Sequence, residues 1–195
     1  MQLLLACLLA TWGTARAESS GDYEARRVSP YADTPDRIVV EMLKLARVGP
    51  TDFVIDLGSG DGRLVIVAVK EFGARGGLGV DIDEKLVAYA NASAAQAGLA
   101  DRVKFERRDL FDTDVSGASV VTIYLLPGVL GRVRDKLLAE AKPGTRVVSH
   151  DYPLPGWTAD RIATFAAPEK EITVAKRDAV VFLYTVPPRQ GVAPR

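Results

Sequence analysis

The residues with the clearest chemical purpose are Asp56-Leu57-Gly58-Ser59-Gly60-Asp61-Gly62. Three glycines alternate behind a carboxylate, in the spacing G-x-G-x-G rather than the G-x-G-x-x-G of dinucleotide sites. A pyrophosphate favours bare amides at a helix N-terminus and gains nothing from a neighbouring carboxylate. Acids beside the glycines suit a ligand that carries positive charge and no phosphate, and the glycines let the backbone approach it closely. Taken alone, the same residues would also serve as a tight strand-to-helix turn. A second group, Gly79-Val80-Asp81-Ile82-Asp83, follows about 20 residues on, where an acid can accept hydrogen bonds from both hydroxyls of a ribose. A third, Arg108-Asp109-Leu110-Phe111, places a carboxylate where it can accept an adenine amino hydrogen, with Leu110 free to pack on the ring. Asp109 could equally be a solvated loop acid, but three acids in this order point together to a cationic nucleoside such as S-adenosyl-L-methionine, whose sulfonium and ammonium both welcome carboxylates.

Three acids in this role need three strand ends, and the apolar pattern supplies them. Residues 52–57, 77–82, 103–107, 119–125 and 145–149 read as buried strands, and 63–72, 84–97 and 127–141 as helices between them. Ahead of these, Thr34 can cap a helix with Pro35 at its first position, and Ile38, Met42 and Leu45 recur at helical spacing until Gly49-Pro50 stops it. Asp83 can cap the helix that opens at Glu84, and Leu130, Val133, Leu137 and Leu138 mark the apolar side of the helix from Pro127. Glu171–Lys176 and Ala179–Val186 read as a hairpin around Arg177-Asp178. The predicted fold is α/β: a Rossmann-like, doubly wound, seven-stranded sheet, mostly parallel with a C-terminal antiparallel hairpin. Ligands of such sheets bind beyond the carboxyl ends of the strands, where the three acids fall.

Domain organisation follows. Residues 1–17 read as a signal peptide: Leu3-Leu4-Leu5-Ala6-Cys7-Leu8-Leu9 is apolar, Ala15-Arg16-Ala17 has small residues around a cleavage point, and no basic residue precedes the apolar run. Residues 18–29 read as a flexible arm, 30–186 as the single domain, and 187–195 as a tail. The expected location is exported or periplasmic, with cytoplasmic or membrane-anchored protein as the alternative if the leader is not cleaved. The apolar run is shorter than the roughly 20 residues of a spanning helix, so no transmembrane helix is expected. Cys7 is the only cysteine and His150 the only histidine, so no multi-histidine or cysteine-ligated metal site is expected. Basic and acidic residues balance at 25 each, which argues against a nucleic-acid partner.

Residues 52–111 resemble motifs I to III of class I methyltransferases. A longer stretch, roughly 30–157, resembles the lysine methyltransferases related to the enzyme that modifies the ATP synthase c-subunit, and their small bacterial members. The carrying residues are Pro30-Tyr31 with Thr34-Pro35, Asp56 to Arg63, Tyr124-Leu125-Leu126-Pro127, and Pro143-Gly144-Thr145-Arg146-Val147-Val148-Ser149 leading to Pro153-Leu154-Pro155-Gly156-Trp157. The resemblance implies Asp56, Gly58, Ser59, Gly60, Asp81, Ile82, Asp109 and Leu110 as the binding set for S-adenosyl-L-methionine, with Asp81 rather than Asp83 on the ribose. It implies N-methylation of a protein lysine. A small-molecule methyltransferase and a non-catalytic exported binding protein of the same fold remain the alternatives. The [D/N/S]-P-P-[Y/F] loop of amino-methylating nucleic-acid enzymes is replaced by Tyr124-Leu125-Leu126-Pro127.

The reaction needs alignment more than acid–base chemistry, because the sulfonium already activates the methyl carbon. Tyr31, Tyr124, Tyr152 and Trp157 are the candidates for the substrate channel, since aromatic faces hold alkylammonium groups; ordinary packing is the competing reading for each. Tyr124 and His150 are the catalytic candidates. His150 either accepts a proton or is a loop histidine with no chemical role. Arg63 either pairs with Asp61 or meets a ligand carboxylate.

Overall fold

The computed structural model describes residues 25–29, 31–168 and 178–189. In chain order the elements are α1 (Asp36–Leu45), β1 (Phe53–Leu57), α2 (Arg63–Lys70), β2 (Gly76–Asp81), α3 (Glu84–Gln96), β3 (Val103–Arg107), a single 3-10 turn (Leu110–Asp112), β4 (Val120–Ile123), α4 (Pro127–Glu140), β5 (Arg146–His150), β6 (Arg161–Ala166) and β7 (Asp178–Thr185). They build one seven-stranded sheet in the order β3-β2-β1-β4-β5-β7-β6. The first five strands are parallel, and β7 runs antiparallel to both β5 and β6. The expected α/β architecture is therefore the one observed.

Strand order reverses at β1, which pairs with β2 on one side and β4 on the other. Connections leave this point in opposite directions, and a crevice opens beyond the strand ends. The pleat explains the apolar runs. Val54, Val120 and Val148 face one layer with α1, α2 and α3, whereas their neighbours Ile55, Val121 and Val147 face the other with α4. Both faces are covered, so the strands contain few polar residues. Those that are buried, including Asp56, Thr122, Ser149 and His150, stand near the carboxyl ends of their strands.

Three local expectations are corrected. Thr34 makes no capping bond: α1 opens at Asp36 behind Pro35, and the Thr34 hydroxyl turns to the Nδ1 atom of His150, 3.2 Å away. The strand paired with β7 is β6, Arg161–Ala166, in register from Arg161↔Leu183 to Ala166↔Asp178. The predicted strand at Glu171–Lys176 lies outside the described residues. The β6 strand is mostly exposed, with Ile162 62% exposed, so it lacks the alternation that reveals a half-buried strand. On α4, Leu138 is exposed and Lys136 is buried, its ammonium donating to the Phe111 carbonyl at 3.1 Å and to Glu140 at 2.6 Å.

Candidate active site

The tips of β1, β2 and β4 and the turn after β3 enclose one pocket. Asp56 forms its floor. It is buried, and its Oδ1 atom accepts a 2.7 Å hydrogen bond from the Thr122 hydroxyl on β4. Burial pushes its carboxyl up to about 7, against the Thr122 hydrogen bond and with added repulsion from Asp81 and Asp61. The folded protein therefore binds this proton more tightly than the unfolded chain does. This group favours folding at low pH and loses that contribution as pH rises from the ordinary carboxylate range to about 7.

The glycine loop turns over Asp56. The amides of Gly58 and Ser59 both donate to the Val80 carbonyl at 2.9 Å, tying the loop to β2. Gly60 has φ +53, and a Cβ there would lie 2.5 Å from the Tyr31 ring, so position 60 admits only glycine without displacing the pocket wall. Ser59 Oγ is buried with no hydrogen-bond partner among the described residues. A buried hydroxyl in a pocket wall is an incomplete contact that a polar ligand can satisfy.

Asp81 ends β2 and orders the loop from the other side. One oxygen accepts from the Gly60 amide and the other from the Asp83 amide, each at 2.9 Å. Its remaining lone pairs can accept a diol. Asp83 has the expected capping role, accepting from the amides of Lys85 and Leu86 at 2.9 and 3.3 Å. Partial burial acts to raise its carboxyl, but the Arg27 guanidinium and the Leu86 and Lys85 amides hold it below the usual carboxylate range. Asp109 is buried and caps the 3-10 turn through the Phe111 amide at 2.8 Å. Its second oxygen pairs with Arg26 Nε at 3.0 Å. Ile82 and Leu110 supply apolar wall.

The segment 25–29, part of the predicted arm, lies along this wall: Arg26 also reaches Asp112 at 2.8 Å, and Arg27 reaches Asp83 at 3.0 Å. Arg63 is the partner of Asp61, with Nε at 3.0 and 2.9 Å from its two oxygens and Nη2 at 2.6 Å. Its Nη1 donates to the Thr34 carbonyl at 3.0 Å, which pins the approach to α1 against the loop.

The aromatic candidates separate. Tyr31 lines the pocket and is 47% exposed; burial and then the Asp61 carboxylate push its phenol up to about 12, against the pull of Arg63. Tyr124 also lines the pocket, stacks on His150 with ring centroids 4.1 Å apart, and donates its hydroxyl to Asp151 Oδ2 at 3.3 Å. Burial and then the Asp151 carboxylate raise its phenol, so it stays protonated. His150 is 0% exposed and lies beneath Tyr124 rather than in the pocket wall. Tyr152 and Trp157 do not line the pocket either. They pack on the apolar layer around α4, Trp157 against the Tyr184 ring at 5.2 Å. Thr122, Asp151 and Arg26 join the site without having been singled out from the sequence. For Asp151 a signal was present, because it follows β5 as Asp109 follows β3. Among the described residues no group of His, Cys, Asp or Glu could hold a metal ion, and no helix is long and apolar enough to cross a membrane.

Comparison with known proteins agrees with this geometry. Residues 56–161 match the family model of the ANTKMT methyltransferase domain. A protein-lysine N-methyltransferase of Saccharolobus islandicus (strain REY15A) is 40% identical over 133 residues, which cover 68% of this chain and 83% of that protein. The ATP synthase c-subunit lysine N-methyltransferase of Mus musculus is 38% identical over 123 residues, covering 63% of this chain and 47% of the mouse enzyme; the chain thus spans about half the length of that relative. A crystal structure described as an RNA methyltransferase from Salinibacter ruber, in complex with S-adenosyl-L-homocysteine, superposes with a TM-score of 0.72 at 42% identity, over 83% of this chain and 97% of that one.

The raised Asp56 carboxyl makes a testable difference to folding. Between pH 5 and 7 it should cost the wild-type protein about 2–3 kcal/mol of stability. In Asp56→Asn the amide oxygen can still accept from Thr122, and urea unfolding across this range should lose that part of the slope. An unchanged slope would show that Asp56 is already ionised at pH 5.

Proposed function

The chain belongs to the ANTKMT methyltransferase domain family and is an S-adenosyl-L-methionine-dependent methyltransferase, and from that premise we propose that it methylates the side-chain nitrogen of a lysine in a protein substrate. The observation that carries the reading is the convergence of Asp56, Asp81 and Asp109 on a pocket whose wall includes Tyr124. The lysine activity for which the Saccharolobus islandicus and mouse relatives are named supports the substrate class.

In this reading Asp81 accepts the ribose hydroxyls, Asp109 the adenine amino hydrogen beside Leu110, and Asp56 faces the positive charge of the amino-acid end. Ser59 and the loop amides complete the polar wall. Arg26 shares Asp109 with the adenine, so segment 25–29 moves or adjusts when the cofactor enters. The bound cofactor supplies a methyl group on a positively charged sulfur. The protein's task is then to deliver a neutral amine in line with that methyl. The amine lone pair forms the new N–C bond as the C–S bond breaks toward sulfur. One ammonium proton leaves for water before attack, and the methylated nitrogen keeps its other two as a methylammonium, so each transfer releases a single proton.

Deprotonating a lysine from about 10.4 to pH 7 costs roughly 4–5 kcal/mol. Burial beside a cationic sulfur lowers that cost, so a strong base is unnecessary. Tyr31 and Tyr124 fit the entry of an alkylammonium group, as their ring faces and hydroxyl oxygens attract it. The leader sequence supports an exported enzyme: N-terminal sequencing of the native protein should begin at Glu18, and a chain beginning at Met1 would contradict cleavage.

A lysate from a strain lacking this gene, given the purified enzyme and tritium-labelled S-adenosyl-L-methionine, should gain label in protein that acid hydrolysis returns as methyl-lysine. Label confined to RNA would favour the activity for which the Salinibacter ruber relative is named. Label confined to small molecules would replace the protein substrate with a metabolite.

A further inference from the structure

Asp151 holds an unusual backbone conformation next to Tyr124. Its φ is +62°, in the left-handed region that few residues other than glycine adopt, although aspartate is among the more tolerant. The conformation is kept by a clamp on β7: the Asp151 amide donates to the Val180 carbonyl at 2.6 Å, and Asp151 Oδ1 accepts from the Val180 amide at 3.2 Å. The same oxygen lies 3.5 Å from His150 Nε2. That clamp uses one carboxylate oxygen. The other, Oδ2, accepts the Tyr124 hydroxyl. Strain held in place beside a pocket residue is a reason to look for a role in the chemistry.

The direction of this hydrogen bond decides what Tyr124 can offer. A phenol has one hydrogen and two lone pairs. With its hydrogen committed to Asp151, only lone pairs remain for the pocket. A phenol oxygen presented this way accepts an N–H from an incoming amine and leaves the amine's own lone pair free to point elsewhere. The ring cannot easily swing away, because it stacks on His150, which Thr34 holds through Nδ1.

We propose that Asp151 is a positioning residue for methyl transfer, acting through Tyr124: it fixes the phenol as an acceptor so that the lysine amine binds by its N–H and aims its lone pair at the methyl carbon. This role rests on the lysine reading above. Asp151 takes part in no covalent step.

Asp151→Asn is the discriminating variant. Asparagine tolerates the left-handed conformation, and its Oδ1 can keep the Val180 clamp, but its NH2 group would face Tyr124 as a donor. The phenol would reverse, with its hydrogen turned to the pocket where it ties up the amine lone pair. Initial rates of tritium transfer into a dilution series of the deletion-strain lysate should show a limiting rate lowered by roughly 10–100-fold. The half-saturating lysate concentration and the S-adenosyl-L-methionine Kd should stay within about twofold. In a Tyr124→Phe background the same substitution should cost less than about twofold, because its target is gone. Alkaline titration of the Tyr124 phenol should shift to lower pH in Asp151→Asn, since a neighbouring negative charge is lost. An equal loss in both backgrounds, an unchanged limiting rate, or an unmoved phenol titration would each overturn the proposal. Wild-type enzyme that labels no protein would instead overturn the lysine reading and this role with it.

Discussion

Like charges crowded at one end of a sheet are the constraint from which this molecule's organisation follows. Asp56, Asp61 and Asp81 converge on one pocket, and Asp56 is buried beneath it. Arg63 neutralises Asp61, and backbone amides stabilise Asp81, whereas Asp56 is met by the uncharged Thr122 hydroxyl. Burial above all holds its proton up to about 7, against the Thr122 hydrogen bond and with added repulsion from Asp81 and Asp61. A carboxyl in this condition favours the arrival of a cation, which supplies the compensation that the protein withholds.

The topology makes the crowding possible. Reversal of strand order at β1 brings the ends of β1, β2 and β4 together, and the short loop after β1 must then turn sharply without filling the space. The paired bonds to the Val80 carbonyl and the glycine at position 60 accomplish that turn. On the far side, β5 and β7 meet antiparallel, and their last pair, His150↔Val181, leaves Asp151 to turn outward beside Tyr124. One end of the sheet thus carries the acid-lined pocket built by parallel strands, with the Tyr124–Asp151 pair beside it where the antiparallel strand joins. A fold of this kind hosts many activities, so the family match, not the architecture, marks the chain as a methyltransferase.

How much was legible in the sequence depended on the range of the interaction. The placement of Asp56, Asp81 and Asp109 at strand ends was legible because each lies within a few residues of the strand that positions it, and the Asp83 cap because its bonds are local. Contacts across roughly a hundred residues of chain were not legible. Thr34 has the residue type and spacing of a helix cap, but the buried His150 offers it a better partner. Tyr152 and Trp157 follow a strand end as pocket residues would, yet the chain turns after Ser149, whose hydroxyl donates to the Tyr152 carbonyl at 2.6 Å, and lays both, half-buried, against the apolar layer around α4. The edge strand β6 lacks a buried face, so its apolar residues show no period. Arg26 and Arg27 sit in a polar stretch that gives no hint of its ion pairs with Asp109 and Asp83.

The central claim is that a buried, half-protonated carboxyl receives a cationic cofactor, and calorimetry can read it directly. Titration of S-adenosyl-L-methionine at pH 7, in two buffers of different ionisation enthalpy, measures the protons exchanged on binding. The wild-type protein should release about half a proton more than Asp56→Asn does, as expected when a group with a pKa of about 7 becomes fully ionised. Equal proton exchange by the two proteins would contradict that claim.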